Sequence, residues 1–154
     1  PTDHVLNIVQ KDDPRTGQKG WSFIERAYNF DSAAGINYTV DVTKPFGSRI
    51  VITSMADGKP FSMDETYNVA MTSYRASGGG GLLSEVGVDT DKIAERTVEY
   101  YPEIRKILYE YLKKNHVIDP AVIGDPAKIG HWSFVPENIA GPAIERDINL
   151  IFKK

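Results

Sequence analysis

The residues best able to do chemistry lie together at Tyr74-Arg75-Ala76-Ser77, which run directly into four consecutive glycines, Gly78 to Gly81. An aromatic ring, a guanidinium and a hydroxyl this close together can stack on and hydrogen-bond a flat polar ligand such as a nucleobase. Glycine weakens regular structure and gains its place through positive φ or close backbone approach, so the run suits a loop whose amide N–H groups face a bound molecule. The same composition also suits a plain surface connector, and Tyr74 equally suits a half-buried strand tyrosine. The candidate substrate-binding set is Tyr74, Arg75, Ala76, Ser77, Gly78, Gly79 and Gly80.

No catalytic or metal-binding constellation accompanies this set. The glycines are not followed by the lysine and Ser/Thr of a phosphate loop, and no spaced dinucleotide fingerprint opens a helix. His4, His116 and His131 are scattered, without a second ligand at helical spacing, and read as structural or surface residues. Asp12-Asp13 and the Asp89/Asp91 pair suit caps and solvated loops. There is no Gly-x-Ser-x-Gly elbow to support a serine nucleophile. With no cysteine in the chain, disulfides, thiolate catalysis and thiolate zinc sites are excluded.

Several elements must position the candidate loop. Lys11 to Gly20, with Pro14 and Gly17, reads as a loop, so the ordered body is expected to start near Trp21. From Ile36 the chain alternates Ile36, Tyr38, Val40 and Val42 against Asn37, Thr39, Asp41 and Thr43, the period of a half-buried strand. A second strand is expected over Arg49 to Ser54, and Asp57-Gly58 invites a hairpin. Thr66 to Tyr74 reads as a third strand that delivers Tyr74 to the glycines. Beyond them, Asp91 to Glu99 suits a short helix. A second helix follows Pro102, with Ile104, Ile107, Leu108, Tyr111 and Leu112 forming an apolar stripe expected to pack on the sheet. After Asn115 short apolar pieces alternate with Pro and Gly through Pro142, and Ile144 to Phe152 suits either a strand or a helix.

The bulk properties fit one soluble domain spanning residues 1–154. Hydrophobic residues make up 41% and charged residues 25% of the chain, as in ordinary globular proteins. The 21 acidic and 18 basic residues leave a net charge of −3 with no long run of either sign, which argues against nucleic-acid polymers as partners. No apolar run approaches the roughly 20 residues of a membrane span. The start at Pro1-Thr2-Asp3 suggests a segment of a longer protein.

Five pieces in order carry a resemblance: Tyr28-Asn29-Phe30-Asp31, Ala34-Gly35-Ile36-Asn37-Tyr38, Asp57-Gly58-Lys59-Pro60-Phe61, Tyr67-Asn68-Val69-Ala70 and Ser73-Tyr74-Arg75-Ala76-Ser77-Gly78-Gly79-Gly80. Together they resemble the C-terminal domain of the 5′-nucleotidase family, above all its bacterial 2′,3′-cyclic-nucleotide 2′-phosphodiesterase/3′-nucleotidase branch. The resemblance is strong over Tyr28 to Gly81 and loose elsewhere. It implies an α+β fold, a mixed β-sheet flanked by helices, that recognises nucleosides and nucleotides. It further implies an N-terminal metallophosphoesterase domain in the same protein, holding two divalent metal ions that activate water, and a periplasmic, secreted or cell-wall-associated location. In this chain it implies no cofactor and no catalytic residue. By the resemblance Tyr74 stacks on one face of the base. A second aromatic and phosphate-holding arginines come from a segment expected to precede residue 1. The 5′-nucleotidase branch carries an aspartate in the glycine loop that contacts the ribose; glycine stands there here, which favours the cyclic-phosphodiesterase branch. Asn29 and Asp31 suit a turn or strand edge, with ribose contact as the alternative. A non-catalytic nucleotide-binding or surface interaction module is the competing reading.

Overall fold

The computed structural model describes residues 4–119, 121 and 130–152. The chain divides into two compact units, Pro1–Ser62 with Pro126–Lys154, and Met63–Asp125.

The first unit opens with a hairpin, whose first strand overlaps Val5 to Val9, residues apolar enough for a short strand or helix turn. The ordered body therefore starts ahead of the expected Trp21. Strands β1 (Ile8–Asp12) and β2 (Lys19–Phe23) pair antiparallel, from Ile8 opposite Phe23 to Asp12 opposite Lys19. Of the segment read as a loop, Lys11, Asp12, Lys19 and Gly20 lie in the ladder, while 13–18 is the expected loop. The segment's polar residues hide the strand period, while Asp13 makes the turn: its carboxylate accepts the Arg15 N–H at 2.8 Å and its carbonyl accepts the Gly17 N–H at 2.8 Å. Gly17 sits at φ 68°, the left-handed region this turn requires.

The main sheet is mixed. Strand β3 (Ile36–Asp41) pairs antiparallel with β4 (Ile50–Met55) and parallel with β5 (Trp132–Val135), giving the order β4-β3-β5. The alternation from Ile36 places Tyr38 inward, where it is buried and stacks on Trp132 at 5.8 Å with the ring planes 8° apart. Trp132 in turn meets Phe134 edge-on at 5.2 Å. Asp57-Gly58 forms the expected turn, with Gly58 at φ 84°, but no strand follows it. The third strand comes instead from Trp132–Val135, joined to β3 by a nonlocal parallel register of Tyr38 to Trp132 through Asp41 to Val135.

The C-terminal region resolves as a helix, Glu137–Phe152, which lies against β5 and β2. It buries Ala140 and Asp147. Mixed sheet and helices together give the α+β class expected. The Pro- and Gly-rich stretch after Asn115 lies partly outside the described residues, at 120 and 122–129.

In the second unit the described elements are helices joined by irregular segments. It holds α1 (Ser73–Ala76), α2 (Leu82–Glu85), α3 (Ile93–Arg96) and α4 (Ile104–Asn115); the C-terminal helix of the first unit is α5. Thr66 to Tyr74 forms no strand: 66–72 is irregular and Tyr74 lies inside α1. Alternation over a few residues cannot create a ladder without a partner edge. The short helix expected over Asp91 to Glu99 appears as α3 behind a 3-10 turn, Thr90–Lys92, capped by the Asp89 carboxylate on the Asp91 N–H. Helix α4 ends at His116, φ 62°, after Lys113 and Lys114 have placed positive charge on its C-terminal turn. Its stripe was expected to pack on the sheet. Within its own unit Ile104 is 66% and Ile107 47% exposed; in the first unit the helix on the sheet is α5.

Candidate nucleotide-binding loop

Thr72 starts the loop. Its hydroxyl accepts the Arg75 N–H at 3.3 Å and so caps α1, fixing Tyr74 on the first turn. Tyr74 is 55% exposed, so its ring is open to a ligand. The glycine backbone folds back on it: the Gly79 N–H donates to the Tyr74 carbonyl at 2.8 Å. A Cβ at position 79 would lie 2.5 Å from both Tyr74 Cε2 and the Tyr74 carbonyl oxygen, so only glycine fits. Gly78, Gly80 and Gly81 stand at φ 89°, 78° and 74°, which turns the chain from α1 into α2. The run is glycine for two separate reasons, close approach at 79 and left-handed backbone at its neighbours.

Arg75 completes the brace. Its guanidinium carbon lies 5.4 Å from the Tyr74 ring centroid, and its Nη1 donates to the Gly79 carbonyl at 3.0 Å. Ser77 donates its hydroxyl to the carbonyls of Ser73 at 2.9 Å and Tyr74 at 3.2 Å. Ala76 holds the last turn of α1 through its N–H on the Thr72 carbonyl at 2.9 Å. All seven predicted residues thus belong to one local structure.

One detail of the expectation changes. The loop does not offer a row of open amides, because the N–H groups of Ser77, Gly78, Gly79 and Gly81 donate to the carbonyls of Ser73, Arg75, Tyr74 and Gly78. Among the described residues, Gly80 alone of the run keeps an N–H without a partner. The chemistry on offer is a rigid aromatic surface, a guanidinium beside it, hydroxyl lone pairs and one amide. That suits stacking and polar recognition.

Among the described residues, no three His, Asp or Glu side chains converge as a metal site requires, and no helix is long and apolar enough to cross a membrane. Sequence reading missed a charged cluster in the first unit. Asp147 is fully buried, and its carboxylate accepts from His4 Nδ1 at 2.8 Å, the Leu6 N–H at 3.0 Å and Arg146 Nε and Nη2 at 3.2 and 3.1 Å. Burial pushes this carboxyl up, but the hydrogen bonds from His4, Leu6 and Arg146 outweigh it and hold it below the usual carboxylate value. No local motif signals the cluster, since its members stand 143 positions apart.

Two relatives are the trifunctional nucleotide phosphoesterase protein YfkN of Bacillus subtilis (31% identical over 140 residues, 83% of this chain and 8% of that protein) and the 2′,3′-cyclic-nucleotide 2′-phosphodiesterase/3′-nucleotidase of Haemophilus influenzae (30% identical over 140 residues, 79% of this chain and 19% of that protein). The chain spans less than a fifth of the length of either. No solved structure matches significantly. The family model described as 5'-nucleotidase, C-terminal domain, matches residues 4–85, more than half of the chain and inclusive of the whole loop. The chain belongs to the 5′-nucleotidase C-terminal domain family.

Proposed function

We propose that this chain is the nucleoside- and nucleotide-recognising part of a metal-dependent nucleotide phosphoesterase. The observation that carries the reading is Tyr74, an exposed ring fixed from behind by Gly79 and Arg75 and lying within the family match. A ring held in this way loses little freedom when a base stacks on it, so more of the stacking energy reaches the affinity. Arg75 and the Gly80 N–H supply polar contacts at the rim. Because the described residues bring no metal-ligand set together, the two divalent ions are proposed to sit on an N-terminal metallophosphoesterase domain of the same protein, where they would activate the attacking water. Glycine in place of the ribose-contacting aspartate, together with the Haemophilus relative, supports a cyclic or 3′-nucleotide substrate. The whole protein is proposed to act in the periplasm, the cell wall or the medium.

Titration of the chain with adenosine and with 3′-AMP, followed by amide NMR shifts, tests the reading. Saturable shifts at Arg75 to Gly81 are expected. Tyr74→Ala should weaken binding by about 1–3 kcal/mol, while Tyr74→Phe keeps it. Equal affinity of the Tyr74→Ala variant and the unaltered chain would remove the ring from recognition.

A further inference from the structure

We infer that the first unit carries a ligand site for a small oxyanion with an apolar body, a phosphate ester or a carboxylate, in the cleft between the N-terminal segment, the β3–β4 connection and α5. The cleft has a volume of about 700 Å³, in the range of small-molecule sites. Its walls combine two guanidinium groups and an imidazole, from Arg49, Arg146 and His4, with the apolar side chains of Val42, Ile139 and Pro142.

The cations are unequal, and that asymmetry carries the inference. Arg146 is tied to the buried Asp147 through Nε and Nη2, so that carboxylate offsets one positive charge. Among the described residues Arg49 has no such counter-charge. It is half-buried and donates Nε to the Lys44 carbonyl at 2.9 Å, while its two terminal nitrogens have no partner among the described residues. The guanidinium fork is open to solvent and matches a carboxylate or phosphate edge. His4 is held by Nδ1 on Asp147 and by its ring edge on Trp21 at 4.7 Å, which leaves Nε2 without a partner among the described residues. A buried carboxylate thus fixes two members of the lining, and a third offers the open fork. The apolar wall then selects an anion with a hydrocarbon or aromatic body over a bare ion.

Phenyl phosphate, benzoate and inorganic phosphate are the probes, each titrated into the chain with the methyl signals of Val42 and Ile139 as readout. Saturable methyl shifts are expected with phenyl phosphate or benzoate, and binding of inorganic phosphate should be at least roughly tenfold weaker for want of the apolar body. Whichever of the first two binds more tightly identifies the charged group as phosphate ester or carboxylate. Arg49→Gln should weaken the tighter probe tenfold or more, whereas Arg15→Gln, the same loss of charge on an exposed side chain, should leave it unchanged. Absence of saturable methyl shifts at millimolar concentration of all three probes overturns the proposal, as does unaltered affinity in a folded Arg49→Gln chain. Should that variant not fold, the methyl shifts of the unaltered chain decide.

Discussion

Gly79 shows how a single residue can be fixed by the ligand surface it supports. Its missing side chain lets backbone lie against the Tyr74 ring, and the atoms a Cβ would meet at 2.5 Å include the Tyr74 carbonyl oxygen as well as the ring. Swinging the ring aside therefore cannot relieve the clash. Gly79→Ala should destabilise the second unit by about 1–3 kcal/mol and lower adenosine affinity alongside, both read by urea denaturation with and without ligand. Gly35 has positive φ but nothing within 4 Å of an added Cβ, so Gly35→Ala should report backbone strain without a clash and leave adenosine affinity intact.

At the scale of elements, the deciding difference is how many partners each has. Strand β3 is laddered on both sides, by β4 and β5, and holds the buried Tyr38 against Trp132. Helices α1 and α2 have four residues each and no buried residue, so their hydrogen bonds have little to keep water out. Native-state hydrogen exchange should find the slowest amides in β3, intermediate ones in α4, and the fastest in α1 and α2. Adenosine should slow the α1 and α2 amides selectively if the loop binds it. Exchange from β3 as fast as from α1 would contradict the sheet as the stable element of the first unit.

Across the whole molecule, the contact of longest reach is the Asp147 cluster, which ties the N-terminal His4 and Leu6 to the C-terminal α5. A carboxylate held below its ordinary value stabilises the fold fully above the unfolded value, about 3.9, and loses that contribution as pH falls through the folded value. The first unit should therefore lose stability below about pH 4. Asp147→Asn should cost about 1–3 kcal/mol at neutral pH, because the amide cannot accept all the hydrogen bonds that His4, Leu6 and Arg146 make to the buried carboxylate, and should flatten the acid limb. Urea midpoints at pH 7 and pH 3.5 for both chains check this; parallel pH profiles would exclude Asp147 as the linked group.

Local chemistry alone determined β3, β4, α4 and the composition of the Tyr74 loop. The strands follow from period-two alternation, α4 from its 3.6-residue stripe behind Pro102, and the loop from glycines that regular structure rejects. Where order depends on a distant partner, the residues carry no local sign of it. The β1–β2 hairpin is held by backbone ladder beneath polar side chains, and Thr66 to Tyr74 has the period of a strand but no edge to join. Strand β5 is four residues whose place is set by a parallel partner some ninety positions earlier, from Tyr38 to Trp132. Tertiary structure also decided that Gly79 must be glycine and that His4, Arg49 and Arg146 share one cleft. The physical reason is common to all of these: propensity and pattern act between neighbours in the chain, whereas ladders, close approaches and buried charges exist only once distant segments meet.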